Sequence, residues 1–204
     1  MRKLLFNKSM VDALPGKDQT RRLKGLEMIN TEPDLHRFCG LTTHEEYDLE
    51  PGLKPGTYAL FWPKNPETVP YTPVKFPYGG IGTRFYVGET WAQGAQNEIV
   101  YKADTWPTLY TWKSPLHLSE ANARFFCEIV DIRCERVANI SEADAIREGV
   151  RTSPDGHFLN YGNRRLEYTT AVDSFRSLWH TLNGSESWEK NWWVWVIKFK
   201  LVNQ

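Results

Sequence analysis

The sequence predicts an α+β fold in which a partly closed β-barrel is flanked by short helices. Three observations support this prediction. Strand-like segments stand both before and after two separated helical segments, and no regular alternation of strand and helix indicates a parallel, doubly wound sheet. The length of 204 residues suits a single domain, 1–204, with a sizeable core.

The charge balance argues against a protein that binds chiefly through a phosphate-neutralising surface. The chain has 25 basic and 25 acidic residues, so its formal net charge is zero, whereas such surfaces are strongly basic. A local basic groove, or recognition of a single nucleoside, stays compatible with this balance. The nine Trp, nine Tyr and ten Phe residues are expected mostly in the core, with some free to stack on bases.

The cysteine content and hydropathy predict a cytoplasmic protein with no membrane partner. Cys39, Cys127 and Cys134 make no disulfide framework, which is typical of a reducing compartment. No apolar run approaches transmembrane length, and the N-terminus lacks a signal-peptide pattern. His36, Cys39 and His44 resemble part of a metal site, but a fourth ligand at suitable spacing is missing, so no metal or other cofactor is expected.

The first element is a short helix through Met10, Val11 and Leu14. Ser9, with Asp12 three residues later, has the pattern of a capping box, and Pro15-Gly16 ends the helix.

An extended segment, Gly16-Lys17-Asp18-Gln19-Thr20-Arg21-Arg22, follows this helix. Side chains alternate along an extended chain, so Lys17, Gln19 and Arg21 should face one way and the residues between them the other. A bend at the helix exit would still bring Lys17 and Thr20 to one opening. The alternative is a solvated basic turn.

Two long segments are predicted to be irregular insertions, at 23–74 and 151–170. The first has short helical turns near Pro33–Phe38 and Thr43–Tyr47, one strand over Thr57–Trp62, and a proline-rich loop over Pro63–Pro77. The second is polar and contains Gly and Asn, which favours a hairpin or loop.

The remaining strands are predicted over Phe85–Val87, Tyr101–Asp104, Phe125–Val137 and Trp193–Leu201, with Trp195, Ile197 and Phe199 of the last one in the core. The segment 106–118 is predicted as loop, and Ser119–Ala123 as a helical turn. Asp131 interrupts an apolar face and marks a possible bulge. On one regular strand Cys127 and Cys134 would lie on opposite faces.

Two helices complete the predicted elements. Ser141 caps a short helix that ends at Gly149, and Ala171–Leu182 has apolar residues at helical spacing. Glu148 is anomalous, because the helix dipole disfavours a carboxylate in the last turn. A residue placed against a local rule is a candidate functional residue.

Five stretches in this order resemble the ASCH domain of the PUA-like superfamily, in the long form common in bacteriophages and prophages. They are Gly16–Arg22, Pro77-Tyr78-Gly79 to Val87-Gly88-Glu89-Thr90-Trp91, Arg136–Gly149, Phe175–Trp179, and Leu182-Asn183-Gly184 through Trp188 to Val196. The resemblance implies a PUA-like mixed β-barrel whose cleft suits RNA or a nucleobase.

The resemblance also implies site residues. Small bacterial relatives hydrolyse the acyl amide of N4-acetylcytidine with a Lys, a Thr and a Glu, and these match Lys17, Thr20 and Glu148. Glu89 is expected at the rim of the cleft, and Arg21, Arg22 and Trp91 are expected to bind substrate or nucleic acid. Asp18 and Gly88 depart from the family pattern, where Thr and Arg are usual.

Three functions are therefore open. The first is an amidohydrolase acting on an acylated pyrimidine nucleoside, in which Lys17 activates the Thr20 hydroxyl and Glu148 orients Lys17 or binds the exocyclic nitrogen of the base. The second is a non-catalytic module that binds RNA, and the third is a ribonuclease using the same cleft. The expected partner is RNA or a modified nucleoside, and the sequence predicts no oligomeric state.

Overall fold

The computed structural model describes residues 1–46, 53–63, 71–104, 110–161 and 167–203. Its strands are β1 Arg2–Leu5, β2 Gln19–Arg22, β3 His36–Thr43, β4 Thr57–Pro63, β5 Thr72–Lys75, β6 Arg84–Gly88, β7 Trp91–Gln93, β8 Ile99–Tyr101, β9 Phe126–Arg136, β10 Phe158–Leu159, β11 Glu167–Tyr168 and β12 Trp193–Val202. Its α-helices are α1 Lys8–Asp12, α2 Glu142–Arg147, α3 Ala171–Asn183 and α4 Glu186–Glu189. Short 3₁₀ helices cover Ile29–Thr31, Pro33–Leu35, Pro115–His117, Glu120–Asn122 and Val137–Asn139.

The central sheet has five strands in the order β1-β6-β9-β12-β2. Only β1 and β6 are parallel, and the other neighbours are antiparallel. This arrangement confirms the predicted α+β class. The predicted barrel is not closed among the described strands, because β1 and β2 stay at the two edges of the order. A side chain spans the gap instead: the Nη2 of Arg22 donates to the carbonyl of Leu5 at 3.0 Å.

The two faces of this sheet carry separate cores. The larger core, on one face, includes Trp195, Ile197 and Phe199 of β12, which confirms their predicted burial. On the other face Val194 and Val196 pack with residues of α2 and α3. Because the side chains of β12 alternate, one strand supplies both cores.

A bulge in β9 changes the predicted placement of its cysteines. Asp131 pairs with Lys198, and Ile129 pairs with the next residue of β12, so Val130 is the extra residue beside the predicted bulge position. The inserted residue reverses the alternation, and Cys127 and Cys134 therefore face the same larger core. The prediction that the two cysteines lie on opposite faces assumed a regular strand, and the bulge removes that assumption.

The first insertion is more regular than predicted, because it forms the sheet β3-β4-β5. His36–Thr43 is a strand, and the pairing register skips Cys39, so a bulge obscures the alternation that identifies strands in a sequence. β5 lies inside the predicted proline-rich loop; Pro73 fits there because β5 pairs only with β4. Part of the turn predicted over Thr43–Tyr47 lies outside the described residues.

The N-terminal helix is present, but the prediction that Ser9 caps it was wrong. The Asn7 side chain accepts a hydrogen bond from the Met10 N–H at 2.9 Å and so caps α1, while Ser9 lies inside the helix. Ser141 caps α2 as predicted, and α3 and the β10–β11 hairpin also match their predictions. The strand predicted over Tyr101–Asp104 is instead β8, which pairs with β7.

No helix within the described ranges is long and apolar enough to cross a membrane. The same residues contain no group of three or more His, Cys, Asp or Glu side chains placed to hold a metal ion, and so His36, Cys39 and His44 form no such group.

Candidate functional site

A cavity of about 470 Å³ lies along the gap between the edge strands β1 and β2. Its charged lining residues are Arg21, Arg22, Lys24 and Glu148, and its aromatic and apolar lining includes Phe6, Tyr78, Phe175, Leu178, Trp179 and Leu182. Arg21 and Arg22 project to opposite faces of the sheet, yet both reach the cavity because β2 is an edge strand. The cavity is therefore a product of the incomplete closure of the sheet.

Glu148 reaches the cavity because α2 ends against the turn that follows α1. It is the C-cap residue of α2, and its side chain is only 2 % exposed. The next residue, Gly149, has φ +87°, and a Cβ there would lie 2.6 Å from the Cβ of Ala13. Glycine at this position thus permits both the left-handed turn and the close approach to the first helical segment.

Lys17 is the first cation that pairs with Glu148. Its ammonium group donates to Oε2 of Glu148 at 3.1 Å, to the Glu148 carbonyl at 2.5 Å and to the Gln19 carbonyl at 2.7 Å. These three acceptors use all the protons of a charged lysine. Burial lowers the pKa of Lys17, and the neighbouring Glu148 opposes this shift without cancelling it.

Arg21 is the second cation that pairs with Glu148. Its Nη1 donates to Oε1 of Glu148 at 2.8 Å, its Nη2 pairs with Glu135, and its guanidinium lies 5.6 Å from the centroid of the Phe175 ring. Burial alone would raise the pKa of Glu148, but the charges and hydrogen bonds of Lys17 and Arg21 hold it below its usual value. Glu148 is thus an ionised carboxylate within the cavity wall.

The network extends outward from this buried pair to partly exposed residues. Arg133 binds Asp144 at 2.7 Å and Glu135 at 3.1 Å, and both acids also face Arg21. Three cations and three carboxylates, counting Lys17 and Glu148, balance one another within this cluster. Positive charge elsewhere in the cavity is therefore not neutralised by it.

Arg22 and Lys24 supply this uncompensated positive charge. Arg22 makes no ion pair with the described residues; its guanidinium lies 5.4 Å from the centroid of the Phe6 ring. Lys24 is exposed and has neither a hydrogen bond nor an ion pair in the described part of the chain. The lining of the cavity therefore combines aromatic walls, one anion and two available cations.

Strand β2 also concentrates polar groups that lack protein partners. Each of its four residues has a buried side-chain atom without a hydrogen-bond partner in the described protein: Nε2 of Gln19, Oγ1 of Thr20, Nε of Arg21 and Nε of Arg22. Such atoms are rare in folded proteins and call for a specific explanation. Two of the four atoms, those of Arg21 and Arg22, belong to residues that line the cavity.

The structure brings Lys17 and Glu148 into contact, but Lys17 is not among the residues that line the cavity. Arg21, expected to bind substrate, is instead held by Glu148 and Glu135. Thr20 is also placed differently from the prediction. Thr20 pairs with Ile197 across the antiparallel ladder, so its side chain faces the larger core. It does not line the cavity. The alternation of an extended strand, rather than a bend, decides its direction.

Glu89 and Trp91 also lie away from the cavity lining. Glu89 is 2 % exposed, and Arg124 donates to both of its carboxylate oxygens, at 2.7 and 2.9 Å. Burial raises the pKa of Glu89. Trp91 is buried in β7, with the Lys113 ammonium 4.6 Å from its ring centroid. The expected rim position of Glu89 was thus wrong, because Arg124 makes it part of an internal ion pair.

Sequence reasoning missed the aromatic walls. Phe175 and Trp179 follow the apolar face of a helix, which is the pattern of ordinary core residues, and Phe6 follows a strand that was not predicted.

A search of protein-family models, curated proteins and solved structures finds no match to this chain. The assignment of the site therefore depends on its geometry and chemistry.

Proposed function

We propose that the cavity between β1 and β2 binds a nucleotide, either free or within RNA, and that the chain is a non-catalytic binding module of the ASCH, PUA-like type. The observation that supports this most is the composition of the lining: aromatic rings, a buried ionised carboxylate and two uncompensated cations around one pocket. Its volume of about 470 Å³ lies within the usual range for small-molecule sites.

The aromatic walls suit the base. Phe6, Phe175 and Trp179 line the cavity, and base–aromatic stacking contributes about 1–3 kcal/mol per base. Glu148 adds selectivity, because its oxygens only accept hydrogen bonds and favour a base with an exocyclic amino group, such as cytosine. A carbonyl at that position, as in uracil, would face the carboxylate unfavourably.

Arg22 and Lys24 suit the phosphate. Both are cations without an ion-pair partner in the described residues, and they lie on the same short segment of chain. The zero net charge of the protein implies that binding is modest and salt-sensitive rather than a tight coating of nucleic acid.

Amidohydrolase activity is the second candidate function. It is favoured by the lowered pKa of Lys17, which makes the neutral amine more accessible than in an ordinary lysine. Two observations favour binding over catalysis: Lys17 donates to three acceptors, and the Thr20 hydroxyl faces the larger core. A ribonuclease using Lys17 has no further observation in its favour.

The proposal is tested by titrating cytidine 5′-monophosphate into the protein and into two matched variants. Leu182 and Leu201 are 48 % and 46 % exposed, and only Leu182 lines the cavity. Leu182→Glu adds a negative charge at the cavity mouth and should weaken binding by about ten-fold. Leu201→Glu adds the same charge elsewhere and should bind like the unmodified protein.

Equal affinities for the two variants would place the nucleotide outside this cavity. Incubation with N4-acetylcytidine separates the two candidate functions, since release of cytidine would establish catalysis and overturn the non-catalytic assignment.

A further inference from the structure

The free edge of β2 presents main-chain groups to the cavity. The Phe199 N–H donates to the Asp18 carbonyl at 2.8 Å, which fixes which residues of β2 bond to β12. Hydrogen-bonded and non-hydrogen-bonded pairs alternate along an antiparallel ladder. Thr20 and Arg22 therefore bond to β12, while the N–H and C=O of Gln19 and Arg21 point away from it, toward the gap.

The neighbouring residues of β12 confirm this alternation independently. The N–H and C=O of Trp193 both bond to the side-chain amide of Asn30, on the β2 side, at 2.7 and 2.9 Å. The carbonyl of Trp192 bonds instead to Val137, on the β9 side. The main-chain N–H and C=O of the odd-numbered residues of β12 thus point toward β2, as the pairing of Ile197 with Thr20 requires.

Arg21 keeps an unpaired donor and acceptor at this edge. Neither its main-chain N–H nor its C=O has a hydrogen-bond partner in the described protein. The residue is 4 % exposed while its side chain is fully buried, so the exposed part of Arg21 is main chain. Arg21 lines the cavity, so its exposed main chain borders the space that a ligand would occupy.

The free stretch is too short for an added β-strand. On one side, the Lys17 ammonium already occupies the Gln19 carbonyl. On the other side, the Arg22 guanidinium crosses the gap to the Leu5 carbonyl. About two residues of edge, roughly 7 Å, stay open between them, whereas strand addition needs several consecutive main-chain groups.

We infer that the main-chain N–H and C=O of Arg21 hydrogen-bond the Watson–Crick edge of the base that occupies the cavity. A ring nitrogen and the adjacent exocyclic group of a base form a neighbouring acceptor and donor, which matches one residue's N–H and C=O. This inference rests on the proposed function. It adds that the ligand must carry an unsubstituted Watson–Crick edge, and that the main chain of Arg21 reads this edge beside the Glu148 side chain.

The main-chain contact is tested by amide NMR during titration with cytidine 5′-monophosphate. The Arg21 amide proton should move downfield, and its exchange with solvent should slow by about ten-fold or more. The Thr20 amide, already bonded to β12, is the internal control and should change little.

Ligand analogues give a second, independent test. The monophosphate of 3-deazacytidine keeps the shape of the base but replaces the N3 acceptor with C–H, and should bind at least about five-fold more weakly because a buried N–H loses its partner. The monophosphate of 5-methylcytidine leaves that edge intact and should bind normally.

The failures of the two proposals are distinguishable. Normal cytidine 5′-monophosphate binding with an unchanged Arg21 amide and full affinity for the 3-deaza analogue would overturn the main-chain contact and leave the proposed function standing. Absence of nucleotide binding would overturn both. A concentration-dependent change of the Arg21 amide without nucleotide would indicate strand pairing between copies, and would also overturn the inference.

Discussion

The Glu148→Gln variant should be markedly less stable than the unmodified protein at pH 7. The substitution keeps the shape of the side chain and removes its charge. It leaves the ammonium of Lys17 and the guanidinium of Arg21 buried against a neutral amide, and at least one amide N–H turns toward a cation or loses its acceptor.

The magnitude follows from the partners that stay in place. Breaking a buried ion pair by removing one partner costs about 3–5 kcal/mol. Arg21 retains Glu135, and Lys17 retains two carbonyl acceptors, so the lower end, about 3 kcal/mol, applies. For a chain of this size that loss lowers the Tm by about 6–12 °C.

The destabilisation should also depend on pH. The folded-state pKa of Glu148 lies below its usual 4.5, so its ionised form stabilises the fold above pH 4.5 and this contribution is lost as the pH falls through the folded-state pKa. The stability difference between the unmodified protein and Glu148→Gln should therefore be full at pH 6–7 and shrink as the pH falls below 4.5.

Urea unfolding followed by circular dichroism measures this difference at each pH. Glu186→Gln is the matched control, because Glu186 pairs with Lys190 on the surface and its loss should cost no more than about 0.5 kcal/mol. Glu148→Gln with unmodified stability at pH 7 would refute the assignment of Glu148 as the buried counter-ion of Lys17 and Arg21.

Three further predictions concern the rest of the fold. Trp195→Ala should cost about 3–5 kcal/mol, because the side chain is fully buried; unmodified thermal stability would remove it from the core. Asn30→Ala should cost about 2 kcal/mol in the same urea titration, because both main-chain groups of Trp193 lose their partner, and Asn30→Asp should cost at least as much, because it places a buried carboxylate against the Trp193 carbonyl. In the native protein a thiol reagent should modify Cys39 alone, because the other two thiols are buried and burial raises the pKa of Cys127 to about 12; fast reaction of all three thiols would contradict the packing of β9.

The sequence predicted those elements whose boundaries depend on neighbouring residues, such as helix caps and the alternation of a regular strand. Ser141 and Gly149 delimit α2, and the alternation of Ile197 and Phe199 identifies β12. Glu148 is an exception to the helix-dipole rule, and the structure supplies the reason. The attraction of Lys17 and Arg21 for its carboxylate outweighs the repulsion from the negative end of the helix dipole.

Single inserted residues account for the wrong side-chain faces in β9 and for the missed strand β3. Val130 reverses the alternation of β9, and Cys39 does the same in β3. A bulge depends on how two strands pair, and a sequence does not record the pairing.

The candidate site was predictable only in its charged part. Alternation correctly placed Lys17 and Arg21 on one side of the extended segment, whereas the resemblance grouped Thr20 with them. The aromatic walls could not be predicted, because a cavity between β1 and β2 exists only once two strands distant in sequence approach each other. Phe6 and Phe175 carry no sequence feature that separates a cavity wall from a core.

The most direct test of nucleotide binding is a crystal structure of the protein soaked with cytidine 5′-monophosphate. Density for the base is expected in the cavity beside Glu148 and the main chain of Arg21, with the phosphate near Arg22 and Lys24. Density for the nucleotide at another surface, or an unliganded cavity at millimolar nucleotide, would contradict it.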